Sequence, residues 1–363
     1  MHSASRRRYG VCDLSTSEYR KIYDSGGRLC LRKKRCRASP ADPVAFDCDG
    51  VLVDTRGSYD AAIARTVETL LEMRFGCRLP MNDPARRMTF LLRRTGAFNN
   101  DWDTSFAIML FSSIAMLETG GGDVAGRAEE LASRFASGTV TDAARDVLSY
   151  VGGIEEGAVA GDAAALAEWL SYPGTPPGSL LATVFDELYY GRRGFIECYG
   201  EPPRHYSGEG LMGNEKLMFD GDFVRHVTAL SGRRPAIITG RPLAGTRMSL
   251  GELLSLFDLG SSVFIGDVQD NGWIRKPRPG ALLKCMDSMR SGTLVYAGNS
   301  AEDLQMSAAA VKRGYSIWFA GVCGSGTDAA AARDYFEAEG ADMIIHDISQ
   351  LPTVLGAANS DVP

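Results

Sequence analysis

An α/β fold, a Rossmann-like parallel sheet with an α-helical domain inserted behind its first strand, follows from three features of the sequence. Short apolar runs at 44–46, 235–239 and 293–297 each stop at an acidic or glycine-bearing turn, as buried parallel strands do. Helical segments alternate with those runs after Asp222. Between the first run and the second, roughly 160 residues carry helical periodicity alone, which is far too long for a loop inside one compact domain.

Composition bounds what the chain can be. Its 363 residues suggest two or three domains, and 45% apolar content supplies an ordinary globular core. The first 40 residues are basic, with Arg6, Arg7, Arg8, Arg20, Lys21, Arg28, Arg32, Lys33, Lys34, Arg35 and Arg37 against Asp13, Glu18 and Asp24, and read as a disordered extension. The folded part then divides into a sheet core at 41–57 and 220–356 and a helical domain at 58–219. The net charge of −6 argues against a general nucleic-acid binder. No apolar run reaches the roughly 18 residues of a membrane span. Eight cysteines without a Cys-x-x-Cys pair or a secretory signal point to free thiols in a reducing compartment, the cytoplasm. Four scattered histidines offer no histidine-based zinc site.

The first strand carries the chemistry. Val44 to Phe46 runs into Asp47, Cys48, Asp49 and Gly50, followed by Val51, Leu52, Val53 and Asp54. Ligands of open α/β sheets bind beyond the carboxyl ends of the strands, where Asp47 and Asp49 would both sit. Two carboxylates held close repel unless a cation lies between them, so three residues offer a nucleophile, a proton donor and half of a metal site. The competing reading is a plain Asp-Gly turn. After this strand the periodicity is helical at 59–75, 106–117, 128–136, 143–151, 163–170 and 180–190.

The later strands end in polar groups of complementary kinds. Thr239 could donate its hydroxyl and amide to a phosphoryl oxygen, with Gly240 letting the main chain approach and Arg241 adding charge or capping the next helix. Lys276 precedes Pro277 just before a helix. The run at 293–297 ends in Gly298, Asn299, Ser300, Ala301, Glu302 and Asp303, ahead of an alanine-rich helix.

These four segments, in this order, resemble the four motifs of the haloacid dehalogenase-like hydrolase superfamily, and the insertion after the first resembles the helical cap of its subfamily I. Residue 299 departs from the pattern, an asparagine standing where an aspartate is usual. The resemblance implies a phosphatase of a small phosphorylated metabolite. Asp47 would form an aspartyl-phosphate and Asp49 would act as acid and then base. Thr239 and Lys276 would steady the phosphoryl oxygens, and magnesium would be held by Asp47, the carbonyl of Asp49, Asp303 and Asn299. A phosphotransferase or mutase would keep the same residues, and a non-catalytic binding protein draws support from Asn299 and the basic segment. A metal-free dehalogenase has no use for Asp49. In the cap, Arg93 and the cluster Asn99, Asn100, Asp101 and Trp102 read either as a helix N-cap or as contacts to the substrate's leaving group, with Ser58, Tyr59 and Arg65 as further candidates.

Overall fold

A strand buried along its whole length belongs inside a sheet, not at its edge, and Val44, Ala45 and Phe46 are all buried. The computed structural model describes residues 18–98, 100–154, 160–268, 272–324 and 329–357. Its strands are β1 (Tyr19–Tyr23), β2 (Leu29–Lys33), β3 (Val44–Phe46), β4 (Val53–Asp54), β5 (Lys216–Leu217), β6 (Ala236–Thr239), β7 (Val263–Phe264), β8 (Thr293–Gly298), β9 (Ser316–Val322) and β10 (Met343–Ile345). Among the described residues, eight of them form one sheet in the order β1-β2-β10-β9-β8-β3-β6-β7. The six strands from β10 to β7 are parallel, so their carboxyl ends lie along one edge. Side chains alternate across β3: Val44 and Phe46 pack with Ile237 and Val295, while Ala45 packs with Leu282 and Tyr296 on the opposite face.

The chain leaves and re-enters this core side by side, because β4 pairs antiparallel with β5. Between them lie α1 (Tyr59–Phe75), α2 (Asn82–Arg93), α3 (Asp101–Thr119), α4 (Val124–Ala136), α5 (Ala143–Ile154), α6 (Ala160–Leu170) and α7 (Leu180–Tyr199). Their buried apolar residues form one cluster between Ala62 and Tyr189 that is separate from the two faces of the sheet. Helix α3 is its centre, with every residue from Thr104 to Met116 buried, the pattern of a helix surrounded by others. Helix α2 has no counterpart among the helices that periodicity predicts. Pro84 sits in its first turn, where proline is tolerated, and Met88 and Leu92 supply its buried stripe. Helix α7 breaks at Gly191, whose φ of 67° only glycine adopts without strain and whose missing Cβ leaves room for the Gly210 backbone.

The basic segment differs from expectation. From residue 18 it is not a disordered extension but the β1–β2 hairpin, with β2 antiparallel to β10, so the core begins before residue 41. Arg32 is 3% exposed and donates to the carbonyls of Val354 at 2.7 Å, Ala38 at 2.6 Å and Cys36 at 3.3 Å. Lys33 Nζ donates to the Gly340 carbonyl at 2.8 Å. Basic side chains bury their stems and spend their heads on loop carbonyls, which a count of charges cannot distinguish from solvation. The seven cysteines among the described residues are free thiols.

Candidate active site

Asp47 stands one residue beyond β3, its amide donating to the Ala297 carbonyl of β8 at 2.9 Å, so the ladder fixes it at the sheet's carboxyl edge. Lys276, on the loop before α10 (Gly280–Met289), reaches the same point. Its Nζ lies 2.9 Å from Asp47 Oδ1 and 2.7 Å from Asp303 Oδ1. Asp303 comes from the first turn of α11 (Ala301–Val311), capped by Ser300. That turn can crowd against β8 because residue 298 is glycine: a Cβ there would lie 2.5 Å from the Cβ of Asp303. Thr239 ends β6, the strand beside β3, where it is buried and its hydroxyl accepts from the Arg241 amide at 3.2 Å.

Electrostatics follow from burial. Desolvation pushes the Asp47 carboxyl up to about 7, against the pull of Lys276. Burial also opposes the Lys276 charge, but Asp303 and Asp47 outweigh it and hold the ammonium well above its ordinary range. Asp303, buried as deeply, is held below the usual carboxylate range by Lys276 and its other donors.

The expected site residues divide between the sheet edge and the cap. Asp47 and Thr239 lie at adjoining strand ends, Lys276 on the loop that meets them and Asp303 in the first turn of α11. Asp49 turns instead toward Arg241, whose Nε donates to Asp49 Oδ1 at 2.7 Å. Arg241 is 4% exposed and its remaining nitrogens go to Glu215 and Ser249, so its fork is committed to side chains rather than turned outward to a phosphate. Gly240 is exposed, with open space where a side chain would be. In the cap, Asn100 is the N-cap of α3, accepting from the Trp102 amide at 2.8 Å. Asp101 pairs with Arg93 at 2.7 Å, and Arg93 also reaches Asp60 at 3.4 Å. The Trp102 indole donates to Asp186 at 2.9 Å, a contact internal to the cap. Asn99 lies outside the described residues.

The metal residues need a correction. The sequence assigns Asp303 as a ligand, yet Oδ1 accepts from Tyr296 and Lys276 while Oδ2 accepts from the amides of Asn299 and Ser300 and from the Ser300 hydroxyl. Its lone pairs are taken. Among the described residues no group of three or more His, Cys, Asp or Glu is disposed to hold a metal ion. The remaining donors still fit a hard cation by chemistry and charge. Asp47, Asp49, Glu215 and Asp303 face two cations, Lys276 and Arg241, and the raised Asp47 is a buried carboxylate short of counter-charge.

Sequence reasoning missed Tyr296, Glu215, Ser249 and Asp186. Tyr296 reads as one more apolar strand residue, and Glu215 sits in a linker with no motif around it. Asp186 is 4% exposed and accepts from Trp102 and from Tyr199; burial outweighs both donors and pushes it up to about 7. A carboxyl raised on folding stabilises most when protonated, so its contribution is full below the ordinary value of 3.8 and fades as pH climbs to about 7. Asp186→Asn, which imitates the protonated form, is therefore expected to gain on the wild type between those limits by up to about 4 kcal/mol. Denaturant titrations of both proteins at pH 5 and pH 8 check this, and a constant difference would contradict it.

No protein-family model and no curated protein matches the chain. Solved structures do resemble it. A structural-genomics target from the Northeast consortium aligns over 88% of this chain and 99% of its own, with a TM-score of 0.59 and 18% identity. A phosphatase from Thermococcus thioreducens, Tt82, aligns over 78% of this chain and 94% of its own, with a TM-score of 0.52 and 23% identity. These likenesses are of fold. The segments that resemble the haloacid dehalogenase-like motifs lie in order along the strand ends of that shared fold.

Proposed function

We propose that this protein is a magnesium-dependent phosphatase that hydrolyses a small phosphorylated metabolite through an aspartyl-phosphate on Asp47. The observation that supports it most is Lys276 Nζ between Asp47 at 2.9 Å and Asp303 at 2.7 Å, one cation placed to steady both a nucleophile and an incoming phosphoryl group. An Asp47 oxygen attacks phosphorus as the bond to the leaving oxygen breaks, and Asp49 gives that oxygen a proton. Water then attacks the aspartyl-phosphate and loses its proton to Asp49, which restores both carboxyl groups and frees inorganic phosphate. Lys276 and the Thr239 hydroxyl bear the phosphoryl charge during both transfers. Magnesium, held by Asp47, the Asp49 carbonyl and the Asn299 side chain, would supply Lewis acidity and offset the surplus negative charge when bound.

Release of inorganic phosphate from a panel of phosphorylated metabolites, with and without magnesium, tests this reading. No release from any member would remove the phosphatase, and phosphate appearing only on an added acceptor would favour a transferase. Asn299 gives a finer measurement. Replacing its neutral oxygen with a carboxylate, Asn299→Asp, is expected to lower the magnesium concentration for half-maximal activity by about tenfold, one charge acting at a partly desolvated site. An unchanged magnesium midpoint would place the cation away from this loop.

A further inference from the structure

Among the described residues, Glu215 is the most heavily bonded carboxylate outside the motifs. It lies on the chain returning from α7, and its side chain is 5% exposed. Oε1 accepts from the Ser58 hydroxyl at 3.1 Å, the Tyr189 hydroxyl at 2.6 Å and Arg241 Nη2 at 2.8 Å. Oε2 accepts from Ser249 at 2.6 Å and Arg241 Nη1 at 3.2 Å. The Arg241 guanidinium also lies 5.4 Å from the ring centre of Tyr59 and 5.9 Å from that of Tyr189, which stack on each other. Ser58 and Tyr59 mark where the chain enters the cap, and Glu215 where it returns. One core arginine is thus enclosed by both connections and by α7, and its free edge holds Asp49.

We propose that Arg241 and Glu215 are positioning residues: docking of the cap fixes Glu215, Glu215 orients Arg241, and Arg241 aims the Asp49 carboxyl used for proton transfer. The inference rests on the phosphatase reading of Asp49 and deepens it. A planar fork bonded along both edges has one orientation, so Asp49 is placed only while the cap connections are seated. An arginine serving the phosphate would leave part of that fork unbonded.

The test separates proton transfer from general damage. Alcohol release in the first turnover, with enzyme in excess, is measured for an alkyl phosphate, whose leaving group needs a proton, and for 4-nitrophenyl phosphate, whose leaving group does not. Glu215→Gln and Arg241→Lys are expected to slow the alkyl ester by about tenfold or more and the aryl ester by about twofold or less. Equal losses on both esters, or none, would overturn the proposal. Should Glu215→Gln fail to fold, Tyr189→Phe decides in its place: it removes one donor to Glu215 and leaves every charge. A wild type that releases neither alcohol overturns the phosphatase reading and this inference with it, whereas wild-type turnover with unselective variants overturns this inference alone.

Discussion

Asp47→Asn is expected to reduce turnover on the order of a thousandfold or more while the protein remains folded, since it removes the nucleophile of the proposed mechanism and with it the covalent route. The amide matches the carboxylate in shape but does not attack phosphorus. Stability should move little or rise. Burial opposes the Asp47 charge and raises its carboxyl above the ordinary range, a cost that a neutral side chain relieves. Lys276 keeps Asp303 as a partner at 2.7 Å, so no buried cation is left alone. The measurements are phosphate release under saturating magnesium and a melting curve. A folded variant retaining more than a few per cent of activity would remove Asp47 from its role, and a collapse in melting temperature would show that Asp47 holds the strand ends together.

Deleting residues 1–38 is expected to abolish soluble folding or lower the melting temperature by well over 10 °C, which is several kcal/mol for a chain of this size. The deletion strips β2 from β10, leaving the main-chain edge of Met343 and Ile344 unpaired and its apolar neighbours bare. It also removes Tyr19, whose hydroxyl donates to the Ala341 carbonyl at 2.8 Å. Arg32→Ala tests the same edge more gently. Three carbonyls lose their donor, for a cost of about 3 kcal/mol. A truncated protein with an unchanged melting temperature would mean that the hairpin merely rests against the sheet.

The sheet's parallel centre was legible because its strands are buried on both faces and so read as unbroken apolar runs, and because chemistry accumulates where such runs stop. Asp47, Thr239, Lys276 and Asp303 stand out in the sequence as polar groups at or just after the ends of such runs, and the structure brings Lys276 against Asp47 and Asp303; their roles belong to the proposed mechanism. The inserted helical domain was legible from length and periodicity alone. The β1–β2 hairpin was not, because its strands are short and cationic, and only the carbonyls of Val354, Ala38 and Gly340 explain where Arg32 and Lys33 go. Nor could sequence decide what Arg241, Trp102 and Asp303 bond to. Asp49 lies 192 positions from Arg241, and Trp102 lies 84 from Asp186. Strand ends are local and repeat the same pattern each time, so the chain announces them. A guanidinium's partner is set by which distant carboxylates the packed helices bring within about 3 Å, a fact that exists only once the cap has closed on the core.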